Sequence, residues 1–181
     1  FVKFGASKYI GGVMGIAVAR ELAPALTGIV IASRVAAAIS AELGTMNVTE
    51  QIDAIKTLGS NPIRYLVAPR FIACTLMMPL LTILADFMCF FGGYLVAVYL
   101  VKINSIDYLS AGQQFLTYND IFGGIAKSFV FGMIISIIAC YKGINTRGGA
   151  KGVGEATTSS VVTSLIALFI FNYFLSVLFF K

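Results

Sequence analysis

Hydrophobic residues make up 59% of the 181-residue chain and charged residues only 12%, a balance too apolar for an ordinary water-soluble domain. The net charge of +5 comes from thirteen basic residues scattered between and within apolar runs, so no compact basic face is present for a nucleic acid. With no histidine, and with Cys74, Cys89 and Cys140 isolated inside apolar runs, there is no material for a zinc site or a histidine-based triad.

The chain opens Phe1-Val2-Lys3-Phe4, without a methionine and without the charge and cleavage pattern of a signal peptide. We read residues 1–181 as a single, N-terminally truncated all-α membrane domain of about four spans, since each crossing of the hydrocarbon layer takes about 20 residues. The first segment, about Tyr9 to Ala41, is interrupted by Arg20, Glu21 and Arg34. Its small residues recur every fourth position, Gly11, Gly15 and Ala19, then Gly28, Ala32, Ala36 and Ser40, the spacing that lets helices approach closely in lipid.

The segment 45–60 follows. Asn47 three residues before Glu50 suggests a helix start; Ile52, Ile55 and Leu58 share one side, and Gly59 and Pro62 end the element. This is a short amphipathic helix between two spans. Its pattern fits a helix lying in the membrane interface and equally a coupling helix gripped by a cytoplasmic partner.

Phe71 to Val101 is broken only by Asp86 and contains Pro79. Tyr65 to Tyr99 would be about 50 Å of helix, which requires tilt, a kink at Pro79 or extension beyond the bilayer. Ile121 to Tyr141 carries only Lys127 and repeats the small-residue stripe at Gly124, Ser128, Gly132, Ser136 and Cys140. The glycine-rich run Gly143 to Gly154 lacks the Gly-Lys-Ser/Thr ending of a phosphate loop and reads as a hairpin connection. Ala156 to Phe180 has no charge and places Ser160, Ser164, Asn172 and Ser176 on one face.

Basic residues set the orientation. Lys56, Arg64 and Arg70 in one connection, and Lys142, Arg147 and Lys151 in another, place both on the cytoplasmic side, with the 102–120 connection opposite. Lys3 and Lys8 argue mildly the other way. Charges inside spans, Arg20, Glu21, Arg34, Asp86 and Lys127, each cost about 2.5–3.5 kcal/mol at a helix centre and should face protein or water. They serve either as structural ion pairs or, for Glu21 and Lys127 with Arg20 close by, as the lining of a polar cavity.

Several ordered motifs carry a resemblance over essentially the whole chain: Arg20-Glu21-Leu22-Ala23-Pro24, Ser33-Arg34-Val35-Ala36-Ala37-Ala38-Ile39-Ser40-Ala41-Glu42-Leu43-Gly44, Thr49-Glu50-Gln51-Ile52-Asp53-Ala54 and Pro69-Arg70-Phe71. They resemble the MlaE-type permease family, which includes the bacterial lipid-asymmetry permease, permeases associated with mammalian-cell-entry (MCE) proteins and a chloroplast lipid permease. The resemblance implies a homodimeric, non-catalytic permease subunit of an ABC-type transporter, with one further span before Phe1. Phospholipid would move between the inner membrane and an MCE-domain protein, powered by ATP and Mg in a separate cytoplasmic ATPase. This chain itself would hold no cofactor or metal. A bacterial inner membrane is the expected location, ahead of a chloroplast inner envelope.

On this resemblance Thr49, Glu50, Gln51, Ile52, Asp53 and Ile55 would dock on the ATPase, Glu50 and Asp53 on the polar side and Ile52 and Ile55 filling a groove. Arg20, Glu21, Leu22, Asp86 and Lys127 would form the lipid path or buried charge network. Two positions depart from some family members: Ser159 stands where they carry a base, and Asn172 where they carry an acid. The competing functions are an ion-coupled secondary transporter using Asp86 as a coupling acid and a non-transporting membrane scaffold.

Overall fold

The computed structural model describes residues 10–180; Lys3, Lys8 and Tyr9, used above, lie outside the described residues. Four helices are long and apolar enough to cross a membrane: α1 (Ile10–Val48), α3 (Ile63–Leu100), α5 (Tyr118–Ile144) and α6 (Gly149–Phe180). Among the described residues two short helices accompany them, α2 (Gln51–Thr57) between α1 and α3, and α4 (Ser105–Phe115) between α3 and α5. No strand occurs among the described residues.

The small-residue stripes become the helix contacts. Gly11, Gly15, Ala19, Gly28, Ala32, Ala36 and Ser40 are all buried on α1, and Gly124, Ser128, Gly132, Ser136 and Cys140 are all buried on α5. Helix α5 packs against α1, α3 and α6, and α1 in turn touches α3 and α6. The approach of α1 to α5 is close enough that a Cβ on Gly124 would overlap the Ala19 carbonyl oxygen. Ala36, Leu43, Phe131, Ile135, Ala139 and Leu168 join in the main core. Outward residues such as Leu76, Leu80, Leu84, Phe169 and Phe174 are exposed, the arrangement expected of a bundle whose solvent is lipid.

The two ends of the bundle differ. At one end Asn47 on α1 donates through Nδ2 to the Thr146 carbonyl at 2.8 Å, so the 49–62 and 145–148 connections lie side by side. At the other end α4 lies across the start of α1, with a Cβ on Gly11 overlapping the Tyr108 carbonyl oxygen. Asn104 caps α4 by accepting from the Ile106 N–H at 3.1 Å. Tyr108, 1% exposed, packs beneath Phe90 and Tyr94, and burial pushes its phenol above its ordinary pKa.

Three sequence expectations change. Asn47 does not start the short helix: α1 runs on to Val48, and its amide instead ties the two connections together. The turn is made by Glu50, whose φ of 60° places it in the left-handed region, so α2 begins at Gln51. The glycine-rich run is mostly helix, because Gly148 and Gly149 take positive φ and α6 already begins at Gly149. Helix α3 continues through Pro79 for 38 residues, about 57 Å at 1.5 Å per residue, so tilt or projection beyond the ~30 Å hydrocarbon layer accommodates its length.

Candidate functional site

Arg20 and Glu21 sit in a π-helical turn, Val18–Leu22, inside α1. Such turns appear often at functional sites. Pro24 follows, and having no N–H it cannot serve the carbonyl four residues earlier, that of Arg20. Lys127 of α5 takes that place, its Nζ donating to the Arg20 carbonyl at 2.8 Å. The same ammonium pairs with Glu21 Oε1 at 2.7 Å and donates to Ser176 Oγ of α6 at 2.7 Å. All three donor directions of a fully buried lysine are thus satisfied.

Glu21 is held from a third helix as well. Asn172 Nδ2 donates to its Oε2 at 2.9 Å, and Ser176 Oγ lies 2.6 Å from its Oε1. At position 172 the chain therefore places an amide that complements the glutamate. Next to this pair Arg20 reaches Asp120, with Nη2 and Nε at 2.7 and 2.8 Å from Oδ1. Asp120 Oδ2 also accepts the Thr117 N–H at 3.0 Å and so closes the capping box of α5. Phe180 covers the cluster, its ring 4.7 Å from the Arg20 guanidinium carbon and 4.9 Å from Lys127 Nζ.

The result is a charge-balanced knot of two cations and two carboxylates at the α4 end of the bundle. Lys127 is wholly enclosed, whereas the Glu21 side chain is 42% exposed and that of Arg20 36%. Leu22, 43% exposed, lies beside it, and Leu26 and Val30 continue its exposed line along α1. A polar, hydrogen-bonding spot thus adjoins an apolar track. Of the residues singled out in the sequence, the structure brings Arg20, Glu21 and Lys127 together with Leu22 alongside; Asp120 was passed over, and its signal was the Thr117-x-x-Asp120 capping pattern.

Asp86 is elsewhere. Both its carboxylate oxygens are buried without a hydrogen-bond partner among the described residues. It lines a separate cavity of about 190 Å³ with Gly15, Val18, Phe90, Leu116 and Ile121. Asp86 is therefore not a member of the ion-paired network.

At the opposite end, Thr49, Glu50, Gln51 and Asp53 are exposed, and Asp53 pairs with Lys56 at 2.7 Å. Ile52, 2% exposed, belongs to this protein's own core, and Ile55 packs against it. These two side chains anchor α2 to the bundle and are not free to fill a partner's groove. The groove is on this chain instead, about 550 Å³ bounded by Asn47, Asp53, Lys56, Asn61, Ile144 and Arg147, with Leu58 projecting beyond it at 82% exposure. Arg64 and Arg147, both expected on one side, lie at this end, and Asp107 lies in α4 at the other.

The family model described as permease MlaE matches residues 1–178. A "Probable ABC transporter permease protein" of Synechocystis is 52% identical over the whole chain, which spans 69% of that protein. A Rickettsia prowazekii protein of the same description is 49% identical over the whole chain and 70% of its own length. The chloroplastic protein TRIGALACTOSYLDIACYLGLYCEROL 1 of Arabidopsis thaliana is 46% identical over all of this chain and 52% of its own.

Proposed function

The chain belongs to the MlaE family of ABC transporter permeases, and on that premise we propose that it moves a phospholipid or related lipid, driven by ATP hydrolysis in a partner subunit. The observation that carries the lipid reading is the junction of the Arg20–Asp120 and Glu21–Lys127 pairs with the exposed apolar line Leu22, Leu26 and Val30. An amphiphile needs both halves of such a surface. The phosphate would meet the exposed edge of Arg20, with Lys127 and Asp120 holding the flanking charges in place, and acyl chains would follow Leu22. The galactolipid in the name of the Arabidopsis relative supports a lipid substrate.

The ATPase would dock at the other end, on Thr49, Glu50, Gln51, Asp53 and the groove beside α2. The basic residues around that groove support a cytoplasmic position. Val48 and Arg20 are 28 residues apart on one helix, about 42 Å, so α1 runs from the docking end to the charged knot as one continuous helix. A second copy of the chain and an MCE-domain protein at the α4 end complete the assembly we propose, in a bacterial inner membrane.

Two measurements test this reading. The full-length chain should copurify with a nucleotide-binding ATPase; purification without any would refute the coupling. A photoreactive residue at Leu22 should capture lipid, less so in Glu21→Gln or Lys127→Met variants that still assemble. Undiminished capture and transport in both variants would remove the headgroup role.

A further inference from the structure

Arg34 lies deep in α1, 14 residues from its end at Val48 and so about 21 Å from it, and its side chain is exposed. The other deep cations are paired: Arg20 with Asp120, Lys127 with Glu21, and Arg70 with Glu42. Arg34 has no carboxylate or hydrogen-bond partner among the described residues. Like Arg20, it occupies a π-helical turn, Ala32–Ala36, the second such turn of α1. A guanidinium within a span is costly to leave unpaired, and an anion is its strongest partner.

A second copy of the chain does not supply one. A two-fold axis along the membrane normal preserves depth, and the depth of Arg34 can be read from contacts across the bundle. Gly28 meets Phe131 and Leu168, Gly44 meets Thr146, and Glu42 meets Arg70. Arg34 is thus level with roughly residues 137, 162 and 78 of α5, α6 and α3, by counting equal rises along each helix. No acid stands near those positions. The nearest are Glu155 on α6, seven residues below that level, and Glu42 and Asp86, eight residues below and above it, about 10–12 Å away; Glu42 is already engaged by Arg70, and Glu155 stands 3.9 Å from Lys151.

We propose that Arg34 binds the phosphate of a membrane lipid, forming a second headgroup station on α1. Val30, Leu26 and Leu22, all exposed on the same side at four-residue spacing, form the apolar track between it and the Arg20 station. Arginine suits this role because its planar fork can donate two parallel hydrogen bonds to phosphate oxygens. The inference rests on the lipid reading above and adds to it a stopping point about 21 Å along the same helix, 14 residues from Arg20.

The test uses the full-length chain in bilayers carrying a trace of phosphatidylglycerol or of an uncharged galactosyldiacylglycerol with the same acyl chains. A photoreactive residue is placed at Val30 or, separately, at Leu22. Capture at position 30 should favour phosphatidylglycerol about tenfold, the effect of one charge-assisted contact. Arg34→Gln should bring that ratio near one, Arg34→Lys should keep part of it, and capture at position 22 should be unchanged by either. An equal ratio in native protein and Arg34→Gln overturns the station. So does an Arg34→Gln chain that fails to assemble beside an Arg34→Lys chain that assembles without headgroup preference, which would make the charge structural. Loss of capture at position 22 in the native chain would bring down the lipid reading itself, whereas failure at position 30 alone removes only this site.

Discussion

Replacing Glu21 by glutamine should be far more damaging than replacing its partner Lys127 by methionine, although both changes delete the same ion pair. The asymmetry follows from burial: Lys127 is 0% exposed and the Glu21 side chain 42%. Glu21→Gln leaves an ammonium enclosed without a counter-charge, a situation that costs about 3–5 kcal/mol. The bonds Lys127 keeps to the Arg20 carbonyl and Ser176 put the expected cost at the lower end, about 3 kcal/mol. Lys127→Met leaves a carboxylate that water can reach and that still accepts from Asn172, and it frees the Arg20 carbonyl that Lys127 served, so the expected cost is about 1 kcal/mol, the low end for one polar group losing its partner. The double variant removes the stranded charge and should recover to within about 1 kcal/mol of Lys127→Met. At about 2–4 °C per kcal/mol for a domain of this size, Glu21→Gln should lower the melting midpoint of the purified protein by about 6–12 °C, and the other two variants by about 2–4 °C. Size-exclusion chromatography after graded heating reads all three under one detergent. A Lys127→Met midpoint at or below that of Glu21→Gln, or a double variant no more stable than Glu21→Gln, would refute the argument that the enclosed partner dominates.

Three further outcomes are expected. Gly124→Ala should destabilise the bundle by about 1–3 kcal/mol, because its Cβ would meet the Ala19 carbonyl and no flexible side chain can yield; the same heating assay checks it, and an unchanged midpoint would mean that α1 and α5 are further apart. Reversing Glu50 and Asp53 to lysine should leave the spans inserted and ATP hydrolysis present while lipid movement is lost; normal transport in that double variant would place the ATPase elsewhere. Single cysteines replacing Arg64, Arg147 and Asp107 in a chain lacking Cys74, Cys89 and Cys140 should react with an impermeant thiol reagent from one side for the first two and from the other for the third, and labelling of all three from one side would contradict the four-span arrangement.

Much of the fold was legible in the sequence because a bilayer imposes few solutions. Backbone polar groups must be satisfied within each span, so apolar runs such as Ala156 to Phe180 had to be helices, and four-residue spacing of Gly28, Ala32, Ala36 and Ser40 had to mark a contact face. The motif around Arg20 and Glu21 likewise announced a site, since charges in hydrocarbon demand partners. Local patterns fared worse at the connections. Asn47 carries the residue type of a helix start, yet its amide is worth more tying α1 to the 145–148 connection. Ile52 and Ile55 look like a surface for a partner until the bundle claims them for its own core.

What the sequence by itself determined, then, was the number of spans, their contact faces and which charges lie within them, because each depends on spacing along one chain and on the solvent. Pairing was decided only by tertiary structure. Glu21 meets Lys127 across 106 positions, Arg20 meets Asp120 across 100, and Asn172 meets Glu21 across 151, whereas Asp86 and Arg34, equally conspicuous as charges, have no partner among the described residues. No local rule distinguishes these cases, since the distance between two side chains on different helices depends on how the helices cross, and only the packed bundle sets that.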